Sequence, residues 1–398
     1  MPTSERLEIQ ALARDFAAAE LRPRAAAWDE QRALDDDVFG KLAELGFLGM
    51  LIPEEYGGLG FDFPTYVGVL EELAWGDASV ALSVAVHNGP VSTLIVRHAS
   101  EEQKRRWLPD LASGAALGAF AMSEPSSGSD PGRLATRATR QGTDWRLSGE
   151  KRWITNGARA GLVVVFAATD DDGAAGAFVV RPSATGYKVG KREQTLGLRA
   201  SETVGIELRD VAVAPGDLIG DEREGLHHAM EAFDVGRVGT AAQAVGTGRA
   251  AMEHAATYAL ERRQFGQPIA RFGAIQEKLA RMAERLAAGR ALTLDAALAL
   301  GPVVRSGAGP ERHGLLGMTA RAAVAMLAAS DAATGAADEA VQVFGGYGYM
   351  RHYPVERLLR DAKGTEIYGG TSEIMRHVIA RELLRDMGDQ GDMGDKGT

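Results

Sequence analysis

The 398-residue sequence contains no cysteine. Disulfides, thiolate nucleophiles and cysteine-based metal sites are excluded together. No stretch approaches the roughly 18 uninterrupted apolar residues of a membrane-spanning helix, so no membrane span is expected. The opening residues, MPTSERLEIQALARDF, lack the basic-then-apolar pattern of a secretory signal; the expected location is cytoplasmic. A basic excess is missing too: 44 Lys and Arg against 54 Asp and Glu give a formal net charge of -10. That balance argues against nucleic acid or an anionic membrane as a partner.

Several chemical signatures are also missing. There is no G-x-G-x-x-G and no G-x-x-x-x-G-K-[ST], so neither common phosphate cradle is signalled. There is no G-x-S-x-G nucleophile elbow. The eight histidines show no H-E-x-x-H spacing, and no metal site is expected. His227 and His228 are adjacent, and neighbours on a helix point in different directions.

What is present divides by texture. Leu7, Ile9, Leu12, Ala13 and Phe16 recur near helical spacing. A breaker cluster, PEEYGGLG from Pro53 to Gly60, separates two helical runs, and Glu101 to Leu111 reads as a short amphipathic helix. From Gly118 to about Gly220 short apolar runs alternate with turn residues, which predicts an antiparallel β-domain. Long helical runs follow at about Gly225 to Arg262, Ile275 to Leu300 and Arg312 to Phe344, with Gly301 to Gly314 as a connection. The domains expected are a helical one over 1–117, a β-domain over 118–221 and a helical one over 222–386. The Gly- and Asp-rich residues 387–398 are expected to be a disordered tail. Helices, sheet, helices, without βαβ alternation, speaks against a doubly wound nucleotide fold.

Three segments stand out. FAMSEPSSGSD, Phe120 to Asp130, is a strand-like run ending in a polar small-residue turn. KRWITNG, Lys151 to Gly157, sets Trp153 and Thr155 two apart, on one face of a strand; a flat indole beside a hydroxyl suits a flat heteroaromatic ring. VQVFGGYGYM and RLLRDAKGTEIYGGTSEIMR, between Val341 and Arg376, carry Gly345-Gly346 and Gly369-Gly370, which permit close backbone approach. Thr371 opens a helix whose N-terminal N–H groups are a ligand-binding feature. Singly, each is an ordinary loop, a core tryptophan or a capped helix.

In combination they are specific. SEP-x-x-GSD, WITNG, R-x-x-F-G at Arg262 to Gly266, QVFGG at 342–346, RDAK at Arg360 to Lys363 and EIY-x-GTSE occur in this order. The chain thereby resembles the acyl-CoA dehydrogenase family from about Glu5 to Arg385, with a texture similar to short-chain and bacterial members. The resemblance implies an α+β fold with an N-terminal helical domain, a middle antiparallel β-domain and a C-terminal four-helix bundle, usually in a homotetramer. It implies FAD as cofactor, an acyl-CoA or acyl-carrier thioester as substrate and electron-transferring flavoprotein as acceptor. By similarity, Phe120, Met122 and Ser123 line the flavin, and Trp153 and Thr155 cover it. Arg262, Phe265, Gln342, Gly345 and Gly346 reach the FAD of a partner subunit, and Thr371 and Glu373 contact its ribityl–adenosine part. Ser129 touches the coenzyme A arm, Asp234 and Arg237 support the thioester site, and Tyr368 and Gly370 border the acyl group. Where many relatives have a glutamine after FGQPI that meets the nucleotide, this chain has Gly273.

The family reaction removes a proton from the carbon α to the thioester and a hydride from the β carbon. The usual base is the glutamate preceding Gly-Thr, and here that position is Gly369. Other relatives place the glutamate on a helix, at a position that aligns with Gly236. Both are glycine, while the backbone N–H at 369 remains to polarise the thioester. Four explanations stand: an engineered change; a displaced base such as Glu231, Asp234, Glu366 or a residue near His87; a reaction without a protein base, such as enoyl-thioester reduction or flavin monooxygenation; or a binding-only variant. The two glycines also widen the pocket near the α carbon, which implies tolerance of an α-branched, cyclic or carboxylated acyl group.

Overall fold

The structure, a computed structural model, describes residues 3–170, 172–306 and 316–386. The tail expected at 387–398 lies outside the described residues. Seven helices come first: α1 (Thr3–Phe16), α2 (Ala25–Gln31), α3 (Asp37–Glu44), α4 (Phe63–Gly76), α5 (Ala78–Val86), α6 (Thr93–His98) and α7 (Glu101–Ala112). Their starts are chemically fixed. Asp62 accepts from the Thr65 N–H at 2.8 Å, with Pro64 in the first turn of α4. Asp77 caps α5 through the Val80 N–H at 2.9 Å, and Ser100 with Gln103 forms a capping box on α7. The periodicity of α1 holds, but its seam is narrower than the apolar pattern implies. Ala13 and Phe16 are buried, whereas Leu7 and Leu12 face outward at 60% and 47% exposure. The inward face is set by Arg14, which pairs with Glu72 on α4.

A π-turn, His87–Ser92, joins α5 to α6. Its wider winding accommodates Pro90, which has no N–H to give to an α-helical ladder. The segment Ala78–His98 is long and apolar enough to cross a membrane by length and composition, yet 89% of that window is buried in the fold. Its apolarity serves the core.

Eight strands follow: β1 (Leu117–Ala121), β2 (Arg137–Gln141), β3 (Asp144–Ile154), β4 (Ala160–Ala168), β5 (Ala175–Val180), β6 (Tyr187–Arg192), β7 (Val204–Val213) and β8 (Leu218–Ile219). The sheet runs β6-β7-β3-β2-β4-β5-β8, with β1 also on β4. Most pairings are antiparallel, as the turn spacing predicts. The exceptions are β1 on β4 and the single Arg137–Ala168 bridge of β2 on β4, both parallel. The reason is connectivity: β1 arrives from α7, and the β2–β3 pair intervenes before β4, so the chain re-enters beside β1 in the same direction. β4 is buried on both faces. Val163 and Val165 pack within the β-layer, whereas Leu162, Val164 and Phe166 pack against Trp107 and Leu111 of α7 and Ala229 and Ala232 of the next helix.

The remaining helices are α8 (Gly225–Glu261), α9 (Gly273–Ser306), α10 (Met318–Phe344), α11 (Pro354–Gly364) and α12 (Ser372–Asp386). α9 continues through Gly301 and Pro302 to Ser306 rather than ending at Leu300. The rest of the expected connection, 307–315, is outside the described residues. α10 packs on α8 and α9, α12 on α10, and α4 on both α8 and α9. Small side chains set the spacing: a Cβ at Gly246 would collide with the Glu71 carbonyl of α4, and one at Gly248 would lie 2.9 Å from Ala333 Cα on α10. Arg14, Arg249 and Arg290 surround the buried carboxylates Glu71 and Glu72 and tie α1, α8 and α9 to α4.

Candidate active site

The segment after β1 is clamped from behind. Glu124 is buried and accepts from the Ala135 and Thr136 N–H groups at 2.5 and 3.0 Å. Lys151 of β3, with no exposed side-chain surface, donates to Glu124 at 2.7 Å and to the Met122 carbonyl at 3.0 Å. The Arg152 N–H donates to the Ser123 carbonyl at 2.9 Å. Burial pushes the Lys151 ammonium down to about 8, with Glu124 opposing. Burial works to raise the Glu124 carboxyl, but the Lys151 charge and the backbone donors outweigh it and hold the group ionised. Met122 is buried, Phe120 and Ser123 are half-buried and Ser129 is exposed. Phe120 rests on Phe166 and Phe233, ring centroids 4.8 and 5.7 Å away.

Regular alternation fails at the end of β3. Its register against β7 shifts between Lys151 and Ile154, Trp153 has φ 58, and Thr155 lies in the turn beyond the strand. The two side chains therefore do not share a strand face. Trp153 is instead 57% exposed on left-handed backbone, a conformation that bulky residues rarely adopt. The turn is anchored by Asn156, also left-handed at φ 64, whose amide donates to Ser83 and Gly118 carbonyls at 3.0 and 3.1 Å.

On α8, Thr240 donates to the Gly236 carbonyl at 3.0 Å. The same hydroxyl oxygen lies 3.6 Å from where a Cβ on Gly369 would stand, with Met326 Cε at 3.7 Å. A Cβ on Gly236 would meet only Pro90 Cγ, at 4.0 Å. The Gly236 carbonyl and the side-chain side of Gly369 thus meet at one hydroxyl, though 133 residues separate them in sequence. Gly369 and Gly370 have φ 74 and 117, and among the described residues neither N–H has a hydrogen-bond partner within the chain. Tyr368 packs against the cluster of Ala78, Leu82 and Leu198. Its hydroxyl donates to Gln243 at 2.6 Å, and Gln243 donates to the Ala78 carbonyl at 2.8 Å; burial raises the phenol far above its ordinary range. Thr371 caps α12 by accepting from the Ile374 N–H at 3.3 Å, and Glu373 is exposed.

The candidates for a displaced base are all engaged. Asp234 meets Arg237 at 2.7 Å and Thr319 at 2.6 Å. Glu231 meets Arg97 at 3.1 Å and His98 at 2.7 Å. Glu366 pairs with Lys363 at 2.5 Å. His87 is wholly buried; Nε2 faces the Leu48 and Leu111 carbonyls and Nδ1 accepts from the Gly118 N–H at 2.9 Å. Burial lowers His87 to about 4. Asp234 and Arg237 hold each other rather than pointing free at a ligand. Among the described residues no group of three or more His, Asp or Glu is placed to hold a metal ion.

A second group sits at the far end of α8. Arg263–Gln264 and Gln267–Pro268 pair as a hairpin with Phe265 and Gly266 at its tip, both left-handed, and Phe265 is 93% exposed. The hairpin borders a cavity of about 590 Å³ lined by Arg262, Phe265, Phe272, Phe344, Gly346 and Tyr347, among others. The Arg262 guanidinium lies 5.2 Å from the Tyr347 ring centroid. Gln342, Gly345 and Gly346 are exposed, and nothing stands within 4 Å of a Cβ placed on Gly273. Gly236 and Arg262 are 26 residues apart, about 39 Å at helical rise. One chain does not bring the two groups together.

Lys151, Glu124, Asn156, Thr240 and Gln243 escaped the sequence reading. The motifs contained the first three, but nothing in spacing alone pairs Glu124 with Lys151 or points Asn156 at α5.

An exposed flat indole, half-buried hydroxyls, unpartnered backbone N–H groups and a clamped loop fit a flat cofactor with a polar edge. Comparisons with known proteins agree. The acyl-CoA dehydrogenase N-terminal, middle and C-terminal domain models match residues 3–115, 119–211 and 223–384. An acyl-CoA dehydrogenase of Bacillus subtilis is 42% identical over 386 residues, 96% of this chain and 98% of that protein. Butyryl-CoA dehydrogenase from Megasphaera elsdenii superposes with TM-score 0.91 at 36% identity, covering 97% of this chain and 99% of that one. A glutaryl-CoA dehydrogenase from Mycobacterium smegmatis in complex with FADH2 gives TM-score 0.87 at 31% identity, covering 97% and 95%.

Proposed function

The chain belongs to the acyl-CoA dehydrogenase family and is an FAD-dependent oxidoreductase; from that premise we propose that it oxidises an acyl thioester between its α and β carbons at the site where Gly236, Thr240 and Gly369 meet. FAD, when bound, supplies the two-electron acceptor. The protein's part is to hold the two partners and exclude alternatives. Phe120, Met122 and Ser123 would line the flavin, on a loop kept in place by Lys151 and Glu124. Trp153 and Thr155 would cover the ring, on a turn anchored by Asn156. The Gly369 N–H would polarise the thioester carbonyl, an oxyanion-hole role for which its lack of an internal partner leaves it ready. Tyr368 and Gly370 would border the acyl group, and Ser129 would meet the arm of coenzyme A or a carrier. Asp234 and Arg237 would support this from within α8, and Thr371 and Glu373 would contact the ribityl–adenosine part.

A second copy would complete the cofactor site. The hairpin and QVFGG group stand far along α8 from the first group, Arg262 lying 26 positions after Gly236, about 39 Å at helical rise. Arg262, Phe265, Gln342, Gly345 and Gly346 would therefore hold the FAD of a neighbour in a homo-oligomer, a tetramer by family resemblance. Electron-transferring flavoprotein is the proposed acceptor, and the cytoplasm the proposed location.

The observation that carries this reading is the meeting of the Gly236 carbonyl and Gly369 at the Thr240 hydroxyl. The test is anaerobic mixing of the FAD-loaded protein with straight-chain acyl-CoAs while following flavin absorbance. Gly369→Glu should accelerate bleaching by roughly 10²–10⁴-fold, the range of general-base catalysis. Ordinary contact distances receive its Cβ, although left-handed backbone at φ 74 costs it roughly 1–2 kcal/mol. No acceleration in a folded, flavin-loaded variant would overturn the assignment.

A further inference from the structure

Among the described residues, the groups weighed as the proton acceptor are already engaged. Asp234, Glu231 and Glu366 are each held by partners, and both His87 nitrogens are occupied. The Thr240 hydroxyl gives its proton to the Gly236 carbonyl. A thioester that can lose its α-proton only to water reacts slowly, because water is a far weaker base than a carboxylate. A thioester that forms its enolate by breaking a different bond does not need the acceptor.

We propose that the substrates are 2-carboxyacyl (malonyl-type) thioesters, oxidised with loss of CO2. The proposal rests on the thioester site described under Proposed function and names its substrate class. The bond from Cα to the carboxylate breaks, CO2 leaves, and the electron pair becomes the enolate held at the Gly369 N–H. The Cβ–H bond then breaks, its pair leaves as hydride with FAD as oxidant, and the Cα–Cβ double bond forms. One 2-carboxyacyl thioester and one oxidised flavin give one enoyl thioester, one CO2 and one reduced flavin. The α-hydrogen stays on carbon, so no base is consumed.

Space and polarity agree with this assignment. A carboxylate is three heavy atoms, smaller than the glutamate side chain that relatives carry at either position. Gly236 leaves open space beyond Pro90, and Gly369 leaves ordinary contact distances to Thr240 and Met326. Pro90 and Met326, the side chains that line the two positions beside Thr240, offer no hydrogen bond to an anion. An anion poorly satisfied there is destabilised relative to neutral CO2, which favours the cleavage.

The test compares the coenzyme A thioesters of butyrate and 2-ethylmalonate, anaerobically, with the FAD-loaded wild type and Gly369→Glu. Flavin absorbance, released CO2 and thioester products are measured together. Expected for the wild type is CO2, crotonyl thioester and reduced flavin in equal amounts from 2-ethylmalonyl-CoA, at least ~100-fold faster than bleaching by butyryl-CoA. Gly369→Glu should reverse the preference, since its carboxylate fills and repels where the substrate carboxylate sits. If the wild type binds both thioesters but releases no CO2, while Gly369→Glu oxidises butyryl-CoA, decarboxylation is overturned and the thioester site stands. If neither thioester perturbs the flavin spectrum of either protein, both readings fall.

Discussion

Lys151 and Glu124 show how a single pair governs the loop that would meet the flavin. Neither has exposed side-chain surface, and Lys151 also fixes the Met122 carbonyl. Removing one member leaves the other charged and buried, which typically costs about 3–5 kcal/mol. Lys151→Met should therefore lower the denaturant midpoint strongly and release FAD during gel filtration. The double replacement Lys151→Met with Glu124→Leu should recover much of the stability, because no orphan charge remains, but not the FAD retention, because Ala135 and Thr136 lose their acceptor. Equal loss in single and double variants would contradict this account. The residues of this pair were legible as motif letters, and their partnership was not, since pairing across 27 positions is set by how β3 passes beneath the loop.

At the scale of elements, RDAK joins three parts of the chain. Arg360 on α11 grips Asp29 of α2 through both terminal nitrogens, at 2.9 and 2.8 Å, and reaches the Leu196 carbonyl at 3.2 Å. Asp361, buried, accepts from the Leu198 N–H at 2.6 Å, and Leu198 in turn packs on Tyr368. Burial raises Asp361 to about 7 against the Arg357 charge. A carboxyl raised in the folded state destabilises it wherever the unfolded chain has already ionised. The penalty is absent below about pH 4, grows as pH rises to about 7 and stays constant above. Asp361→Asn keeps an acceptor for Leu198 without that penalty. Its melting temperature should exceed wild type at pH 8, with the gap closing as pH falls toward 4; a pH-independent difference would refute the buried ionisation. The turn after β3 is a second case. Asn156→Ala strips both anchors to α5 and β1 and should weaken FAD binding at least ~10-fold, two lost hydrogen bonds at about 1 kcal/mol each, with little change in helix content by circular dichroism.

For the whole molecule, the proposed homo-oligomer rests on the length of α8. It carries Gly236 in its first third and leads to Arg262 at its end, and on the proposed reading the two halves of the cofactor site come from different copies. Phe265, 93% exposed on a left-handed hairpin tip, is the most exposed large hydrophobic among the described residues. Phe265→Asp should shift the oligomer toward smaller species by light scattering and lower FAD content together. Loss of one without the other would separate assembly from cofactor binding.

The sequence by itself determined the order of helices, sheet and helices, the absence of disulfides and the family, because these follow from periodicity, composition and short motifs read locally. It also put glycine at 236 and 369, the two positions to which the family resemblance assigns the base. Only the tertiary structure decided that β1 joins β4 in parallel, that Trp153 leaves the strand on left-handed backbone, and that Leu7 and Leu12 face outward. Only it brought the Gly236 carbonyl and Gly369 to one hydroxyl and left Asp234, Glu231 and Glu366 already paired. These are relations between residues far apart in the chain, and they arise when buried groups must find partners across packed elements, a demand that no local pattern records.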